Sequence, residues 1–461
     1  MFHSTDEQTI IAQCTPRGSG AIALLRISGI NALEIASVFS KLPSNKSLCD
    51  VASHTIHYGT VIEPNGTVVD QVLFMVMHAP RTFTGQNTVE ITCHNNQFII
   101  EQIIALAIAN GARLAQEGEF TKRAVLNGKI DLVQAEAINE LIHAQTQMAL
   151  KQSLAQLNGS LSSWLISIEQ ELLKALALSE ASFEFLDEEM EFAPQINAMV
   201  VHVMETITTI KKTYNQQQQI RQGIRVALIG SVNAGKSSLF NALLNQNRAI
   251  VTAIAGTTRD AIEAGVYKNG NYWTLVDTAG LRQTDDMIEQ EGIRRSFEEA
   301  HKADIIILAY DSSREITAEE NMVYQEIAEK YPNKIITVFT KVDDIATRPE
   351  ALEGCERKNA ISVSSKTKTN IDSLEHTIED KITTLFAQIE SPFLLNQRQY
   401  NLVLTLETKL AEIKIMLENP VAYELLSIHL QDAIADLAQL SGKAISEAGM
   451  DKVFREFCIG K

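Results

Sequence analysis

The densest run of reactive residue types is GSVNAGKS, from Gly230 to Ser237. It has the spacing G-x-x-x-x-G-K-S, follows the apolar run IRVALIG and precedes the helical pattern SLFNALLNQ. Strand, glycine-rich loop and helix together make a phosphate cradle, because the glycines let backbone N–H groups face anionic oxygens at a helix N-terminus. Lys236 then reaches the outer phosphates, and the Ser237 hydroxyl ligates Mg2+. A glycine-rich turn with a chance lysine would lack companion motifs, and here they follow in order. DTAG, Asp277 to Gly280, comes after NYWTLV. Asp277 can hold Mg2+ through water, and the Gly280 N–H can approach the γ-phosphate. After KIITVFT come Lys341, Val342 and Asp343, so that Thr340 opens a T-K-x-D variant of the N-K-x-D guanine clamp. Asp343 accepts from both the N1 and N2 positions of guanine, a pattern adenine cannot offer, while the Lys341 stem covers the ring. Thr340 can still hydrogen-bond the phosphate loop, at some cost in affinity. Ser364, Ser365 and Lys366 follow AISV, where a backbone N–H would meet guanine O6.

Hydrolysis needs a group that orients water, and in many such switches a Gln after the DTAG glycine does so. Here that position is Leu281, which cannot. The segment DDMIEQEG offers Asp285, Asp286, Glu289 and Glu291, and the residues alone do not choose among them. TAIAGTTRD, Thr252 to Asp260, is rich in hydroxyls and carbonyls that could wrap the phosphates. Asn233 sits inside the phosphate loop, an unusual place for an amide unless it coordinates something.

These motifs sit in a chain of 461 residues, 45% apolar and 21% charged, long enough for two to four domains. The texture sets out their scaffold. Residues 1–125 alternate β-type runs (IALLRISG, HTIHYGTVI, VVDQVLFMVMHAP, NTVEITCH) with turn signals, and an apolar helix over about 95–110 ends at Gly111. From Asp131 the pattern turns helical, with apolar residues at three and four spacing: Leu154, Leu157, Leu161, Leu165, Ile168 and Leu172. A second helical stretch covers about 195–219. Helical texture returns over 396–457, broken near Asn419-Pro420. Two helical blocks around a β/α segment imply one domain inserted into another.

The formal charge is −17, which opposes nucleic-acid binding through the overall field. Residues 1–125 hold 8 Lys and Arg against 10 Asp and Glu, so most of the acidity lies beyond them. Nucleic-acid contact is therefore expected at a local patch or shared with a partner. No apolar run reaches a membrane span, the N-terminus does not read as a signal peptide, and five scattered cysteines fit a reducing, cytoplasmic setting.

Taken together, LRISG, FTG, GEFTKRA, DLVQAEAI, FLDEE, GSVNAGKSSL, IAGTTRD, DTAGLR and the closing FCIGK resemble one family over essentially the whole chain. That family is MnmE, also called TrmE, the tRNA uridine-modification GTPases. The resemblance implies a multidomain α/β plus all-α fold. Residues 1–125 would be an α+β tetrahydrofolate-binding and dimerisation domain, and 126–222 with 386–461 a discontinuous helical domain. A Ras-like P-loop G domain would be inserted at 223–385. It implies a potassium-stimulated GTPase that forms a homodimer and assembles with the FAD-containing MnmG into a heterotetramer. Together they would convert carbon 5 of the wobble uridine of certain tRNAs to carboxymethylaminomethyl or aminomethyl derivatives. A methylene-tetrahydrofolate would donate the one-carbon unit, and the partner would carry much of the tRNA binding. A ribosome-assembly GTPase acting as an RNA switch is the alternative, but residues 395–461 hold 7 basic against 9 acidic residues and no G-x-x-G loop.

Residue by residue, the resemblance places GTP contacts at Asn233, Ala234, Gly235, Lys236, Ser237 and Ser238. It adds Thr252, Ala253, Ile254, Ala255, Gly256, Thr257 and Thr258, then Asp277, Thr278, Ala279 and Gly280. Around the base it keeps Thr340, Lys341, Asp343, Ser364, Ser365 and Lys366. Asn233, Thr252, Ile254 and Thr257 would ligate potassium, standing where an arginine finger otherwise puts positive charge. Ser237 and Thr258 would ligate Mg2+, and Glu289 would orient water. Arg26, Glu90, Lys129 and Lys461 match the family's folate contacts, and Cys458 matches a functional thiol at that site. Val453, Phe454 and Phe457 form an apolar stripe that would dock the tail, and Lys461 could lower the thiol pKa. The family often has His-Gly-Gly where this chain has His94-Asn95-Asn96.

Overall fold

A computed structural model describes residues 8–182, 192–246, 262–268, 271–277, 288–344, 360–387, 393–418 and 421–460. The chain divides into two compact units. One comprises Met1–Asn139, Gln156–Met204 and Asn401–Lys461, the other Glu140–Ala155 and Glu205–Tyr400.

The strands of the first unit are β1 (Ile10–Gln13), β2 (Ile22–Ser28), β3 (Ser40–Lys41), β4 (Thr55–Ile62), β5 (Val68–Met77), β6 (Thr88–His94) and β7 (Arg113–Leu114). They form one sheet in the order β3-β4-β5-β6-β2-β1-β7, antiparallel except for the β1–β7 pair. In β5 the period of two is plain: Val72, Phe74 and Val76 are buried while Gln71 and Leu73 are exposed. That buried face meets Ala36 of α1 (Ala32–Val38) and Ile100 and Ile103 of α2 (Gln97–Ala109) in one core. Asn96 caps α2, accepting from the Phe98 N–H at 2.9 Å, so the helix starts two residues later than its apolar pattern suggests.

Further helices follow in chain order: α3 (Glu119–Leu126), α4 (Leu132–His143), α5 (Gln147–Leu157), α6 (Ser160–Ala181) and α7 (Ala193–Gln222). The leucine stripe read from the sequence does not lie on one helix. It breaks at Gly159, leaving Leu154 on α5 48% exposed while Leu161, Leu165, Ile168 and Leu172 of α6 are buried.

The second unit holds β8 (Ile224–Gly230), α8 (Lys236–Gln246), β9 (Ile262–Lys268), β10 (Asn271–Asp277), α9 (Ile288–Lys302), β11 (Ile305–Asp311), α10 (Ala318–Lys330), β12 (Ile335–Thr340), β13 (Ile361–Ser362) and α11 (Ile371–Ala387). Its sheet runs β13-β12-β11-β8-β10-β9, parallel except for β9. Helices cover both faces, so β8 and β11 must be apolar on both sides. Val226, Leu228, Ile305 and Ile307 pack with Leu239, Leu243 and Ile378, whereas Ala227, Ile229, Ile306 and Leu308 pack with Ala300, Tyr324 and Ile327. A sheet of this kind binds ligands outside the carboxyl ends of its strands, and β8, β10, β11 and β12 deliver the motif residues there.

The chain continues through α12 (Gln397–Leu417), α13 (Tyr423–Ser441) and α14 (Glu447–Phe454). Helices α6 and α13 pack together through Ser179 and Ser427, whose hydroxyl oxygens lie 2.8 Å apart, with Leu426, Leu430 and Leu437 buried. Among the described residues no helix is long and apolar enough to cross a membrane.

Candidate functional site

The phosphate loop leaves β8 at Gly230, where a Cβ would lie 2.6 Å from the Ala309 carbonyl oxygen of β11; only glycine lets the two strands come this close. Asn233 adopts φ 63° and Gly235 φ 80°, which turns the loop so that α8 begins at Lys236. The Lys236 ammonium is buried and donates to the carbonyls of Gly230 (2.7 Å) and Ser231 (2.6 Å). Burial pushes it below the ordinary lysine range, with Asp277 opposing. The Ser237 hydroxyl donates to the buried Asp277 carboxylate at 2.7 Å. Two hard oxygen donors therefore meet at the first turn of α8, a donor set that fits Mg2+.

β12 brings the base-side motif to the same loop. The Thr340 hydroxyl is buried and lies 2.7 Å from the Ala234 carbonyl and 3.1 Å from that of Tyr310. Lys341, at φ 56°, donates to Asp311 at 2.7 Å. Burial raises the Asp311 carboxyl, but hydrogen bonds from Lys341 and Ser313 outweigh it and hold it below the usual carboxylate range. The Ser364 hydroxyl donates to Asp343 at 2.5 Å and accepts from the Thr367 N–H at 3.1 Å, so the two base-side segments are joined. That bond holds the Asp343 carboxyl low and ionised. Ser365 and Lys366 lie in the turn that follows.

Several expected contacts fall outside the described residues: Thr252, Ala253, Ile254, Ala255, Gly256, Thr257, Thr258, Thr278, Ala279, Gly280 and Lys461. Glu289 lies in the first turn of α9, with its side chain outside what is described. Of the expected potassium set only Asn233 is described. It is exposed at the loop tip and offers amide and carbonyl oxygens.

In the other unit Arg26 of β2 stands opposite Glu90 of β6, and the pair is joined at 2.7 Å. The guanidinium carbon lies 5.4 Å from the Phe120 ring centroid and 6.0 Å from that of Phe83, itself 41% exposed. A charged pair beside an exposed ring fits a flat, polar-edged ligand such as a pterin. Lys129 is exposed and follows α3, with its side chain against the Thr84-Gly85 turn.

The tail is docked. Phe454 and Phe457 are buried with Leu132, Ala135 and Met450. Ile459 bridges Glu117 in antiparallel fashion, and the Gly118 N–H donates to the Cys458 carbonyl at 3.5 Å. Cys458 itself is exposed. Its segment thus lies beside Gly118, two residues before the Phe120 ring that faces Arg26.

The Asn95-Asn96 departure has a structural reason that the sequence did not disclose. Asn96 caps α2, and the Asn95 amide donates to the Gly18 carbonyl at 2.8 Å, pinning the loop before β2. Sequence reasoning also missed Arg314 and Tyr324, which bond Ser231 of the phosphate loop, and Asp311, which takes the Lys341 ammonium. No motif marks them.

A family model described as GTP-binding protein TrmE N-terminus matches residues 9–129, and one described as MnmE helical domain matches residues 132–458. Proteins named tRNA modification GTPase MnmE are similar over their whole length. That of Geobacillus kaustophilus is 38% identical over 471 residues, covering 99% of this chain and 100% of its own. That of Flavobacterium johnsoniae is 34% identical over 469 residues, with the same coverage. That of Streptococcus pneumoniae serotype 4 is 38% identical over 464 residues, 98% of each chain. Among solved structures, the G domain of the T. maritima FeoB iron transporter gives a TM-score of 0.25 at 26% identity, covering 35% of this chain and 98% of that one.

Proposed function

The chain belongs to the MnmE family of tRNA modification GTPases, and on that premise we propose that it hydrolyses GTP at the Gly230–Ser237 loop to drive uridine modification in tRNA. The observation that carries this reading is the joining of phosphate and base motifs: Thr340 bonds the loop carbonyl of Ala234, within a chain matched end to end by relatives of that name. Residues 223–385 would act as the G domain, 1–125 as the folate-binding and dimerisation domain, and 126–222 with 386–461 as the helical domain.

Each residue has a task in this reading, and the described surroundings of Lys236, Ser237, Asp343 and Lys341 support theirs. Lys236, poised on two carbonyls, turns its ammonium to the outer phosphates. Asp343, kept ionised by Ser364, reads the guanine edge, and Lys341 lies along the ring. Glu289 orients the attacking water. Ser237 and Thr258, backed by Asp277, would hold Mg2+, which supplies positive charge to the phosphates. Asn233, Thr252, Ile254 and Thr257 would hold potassium through oxygen atoms, and the ion would supply the charge an arginine finger gives elsewhere.

In the other unit Arg26, Glu90, Lys129 and Lys461 would bind a one-carbon tetrahydrofolate, with Cys458 beside it. The partner would be the FAD-containing MnmG, in a heterotetramer built on a homodimer of this chain. The product would be the carboxymethylaminomethyl or aminomethyl derivative at carbon 5 of the wobble uridine, and the setting cytoplasmic.

Asp343→Asn tests the nucleotide reading. An amide can donate to the extra carbonyl of xanthine where a carboxylate pairs with the guanine amino group. Turnover of GTP should fall by about a hundredfold, as for loss of a charged, bidentate hydrogen-bond pair, and turnover of XTP should rise. Turnover of GTP at the wild-type rate by Asp343→Asn would contradict the assignment.

A further inference from the structure

Ser231, the second residue of the phosphate loop, has all three of its polar groups engaged. Its N–H donates to the Tyr324 hydroxyl oxygen at 2.6 Å. Its own hydroxyl oxygen accepts from Arg314 Nη2 at 2.8 Å. Its carbonyl accepts from the Lys236 ammonium at 2.6 Å. The first two partners are themselves held. Tyr324 is buried on α10, donates to the Ala309 carbonyl at 3.2 Å and meets the Tyr310 ring edge-on at 4.6 Å. Arg314 grips Glu320 with both terminal nitrogens, at 2.5 and 3.0 Å. Glu320 in turn closes the capping box of α10, accepting from the Thr317 N–H at 3.1 Å while its own N–H donates to the Thr317 hydroxyl. The same guanidinium lies 3.8 Å from Asp311, whose carboxylate takes the Lys341 ammonium at 2.7 Å.

A phosphate-loop lysine needs only the two carbonyls beneath it. Nothing in that role requires the loop's second residue to be clamped from the side by α10 and the segment before it, 80 or more residues away in the chain. The clamp therefore has a consequence: moving Arg314 moves Ser231, and with it the carbonyl on which Lys236 rests.

We propose that Arg314, braced by Glu320 and acting through Ser231 alongside Tyr324, is a positioning residue that sets where the Lys236 ammonium meets the outer phosphates of the nucleotide. It rests on the reading of Gly230–Ser237 as the GTP site. Through Asp311 the same guanidinium borders Lys341, so one cluster behind β11 steadies the cations at both ends of the nucleotide.

The test uses the full chain as wild type, Arg314→Ala, Ser231→Ala, the double variant and Tyr324→Phe. Single-turnover GTP hydrolysis and equilibrium binding of GDP and of a non-hydrolysable GTP analogue are measured for each. Each single variant should slow hydrolysis about five- to tenfold, the size of one lost hydrogen bond of ordinary net strength. The GTP analogue should weaken more than GDP, because Lys236 faces the outer phosphates. A role confined to bracing α10 would weaken both nucleotides alike. The double variant should lose no more than the worse single one, since both act along one path. Tyr324→Phe keeps the ring and its packing, and should shift the analogue-to-GDP ratio in the same direction. Multiplied losses in the double variant, or an unchanged ratio in Arg314→Ala and Tyr324→Phe, would overturn the proposal. A wild-type chain that binds no guanine nucleotide would overturn the site reading and this proposal with it.

Discussion

Thr340 shows how one side chain can link two motifs. Its single hydroxyl hydrogen faces two carbonyls, Ala234 at 2.7 Å and Tyr310 at 3.1 Å, in a buried setting. Thr340→Val keeps the shape and removes the donor. The Ala234 carbonyl then stays buried without that partner, a cost of about 1–3 kcal/mol, so GDP affinity should fall by about tenfold or more in a fluorescence titration. Unchanged affinity would mean that the loop does not depend on this bond. The motif residues were legible because phosphate and guanine chemistry dictate their types at close spacing: Lys236, Ser237, Asp277 and Asp343 could be named from sequence. Arg314, Tyr324 and Asp311 could not. Their roles arise from contacts between loops far apart in the chain, and an arginine before a helix is ordinary in composition. Asn95 and Asn96 read as a departure from a family pattern. Their amides prove to cap α2 and to hold the loop at Gly18.

The terminal helix and its tail illustrate what an element can encode. Val453, Phe454 and Phe457 announced an apolar stripe, and Phe454 and Phe457 are indeed buried. The place where the tail lands was not legible, because it depends on a two-residue bridge to Glu117 and on a glycine contact. Gly460 has φ +94°, and a Cβ there would lie 2.6 Å from the Gln13 carbonyl oxygen. Gly460→Ala should therefore undock the tail, the backbone conformation alone costing about 1–2 kcal/mol. Carboxypeptidase should then trim the variant faster, and tRNA modification should fall while GTP turnover persists. Equal trimming rates would contradict the docking. Cys458→Ser leaves the contacts of Gly460 in place and separates thiol chemistry from docking: it should abolish modification without faster trimming. Among the strands, β5 and β8 were plain from alternation or continuous apolar character, whereas β1, of four residues, was too short to show a period.

The whole molecule joins a unit that carries the phosphate-loop and base-side motifs to one that carries the Arg26–Glu90 pair and the docked tail. This chain has Leu281 where a water-orienting Gln is common, and on the proposed reading a bound potassium ion would supply positive charge at the phosphates. The expectation of an inserted domain came from texture, because long amphipathic stretches and a β/α segment differ in period. The proposed potassium ligands rest on the family resemblance and not on pattern, since carbonyls and hydroxyls mark nothing by themselves. GTP turnover by the full chain in potassium against sodium, at equal ionic strength, for wild type and Asn233→Ala, reaches this point. Turnover should be at least about tenfold faster in potassium for the wild type, in keeping with the loss seen when one transition-state charge partner is removed, and nearly equal in both salts for Asn233→Ala, with GTP still bound. Equal wild-type rates in the two salts, or a potassium preference that survives in Asn233→Ala, would contradict it.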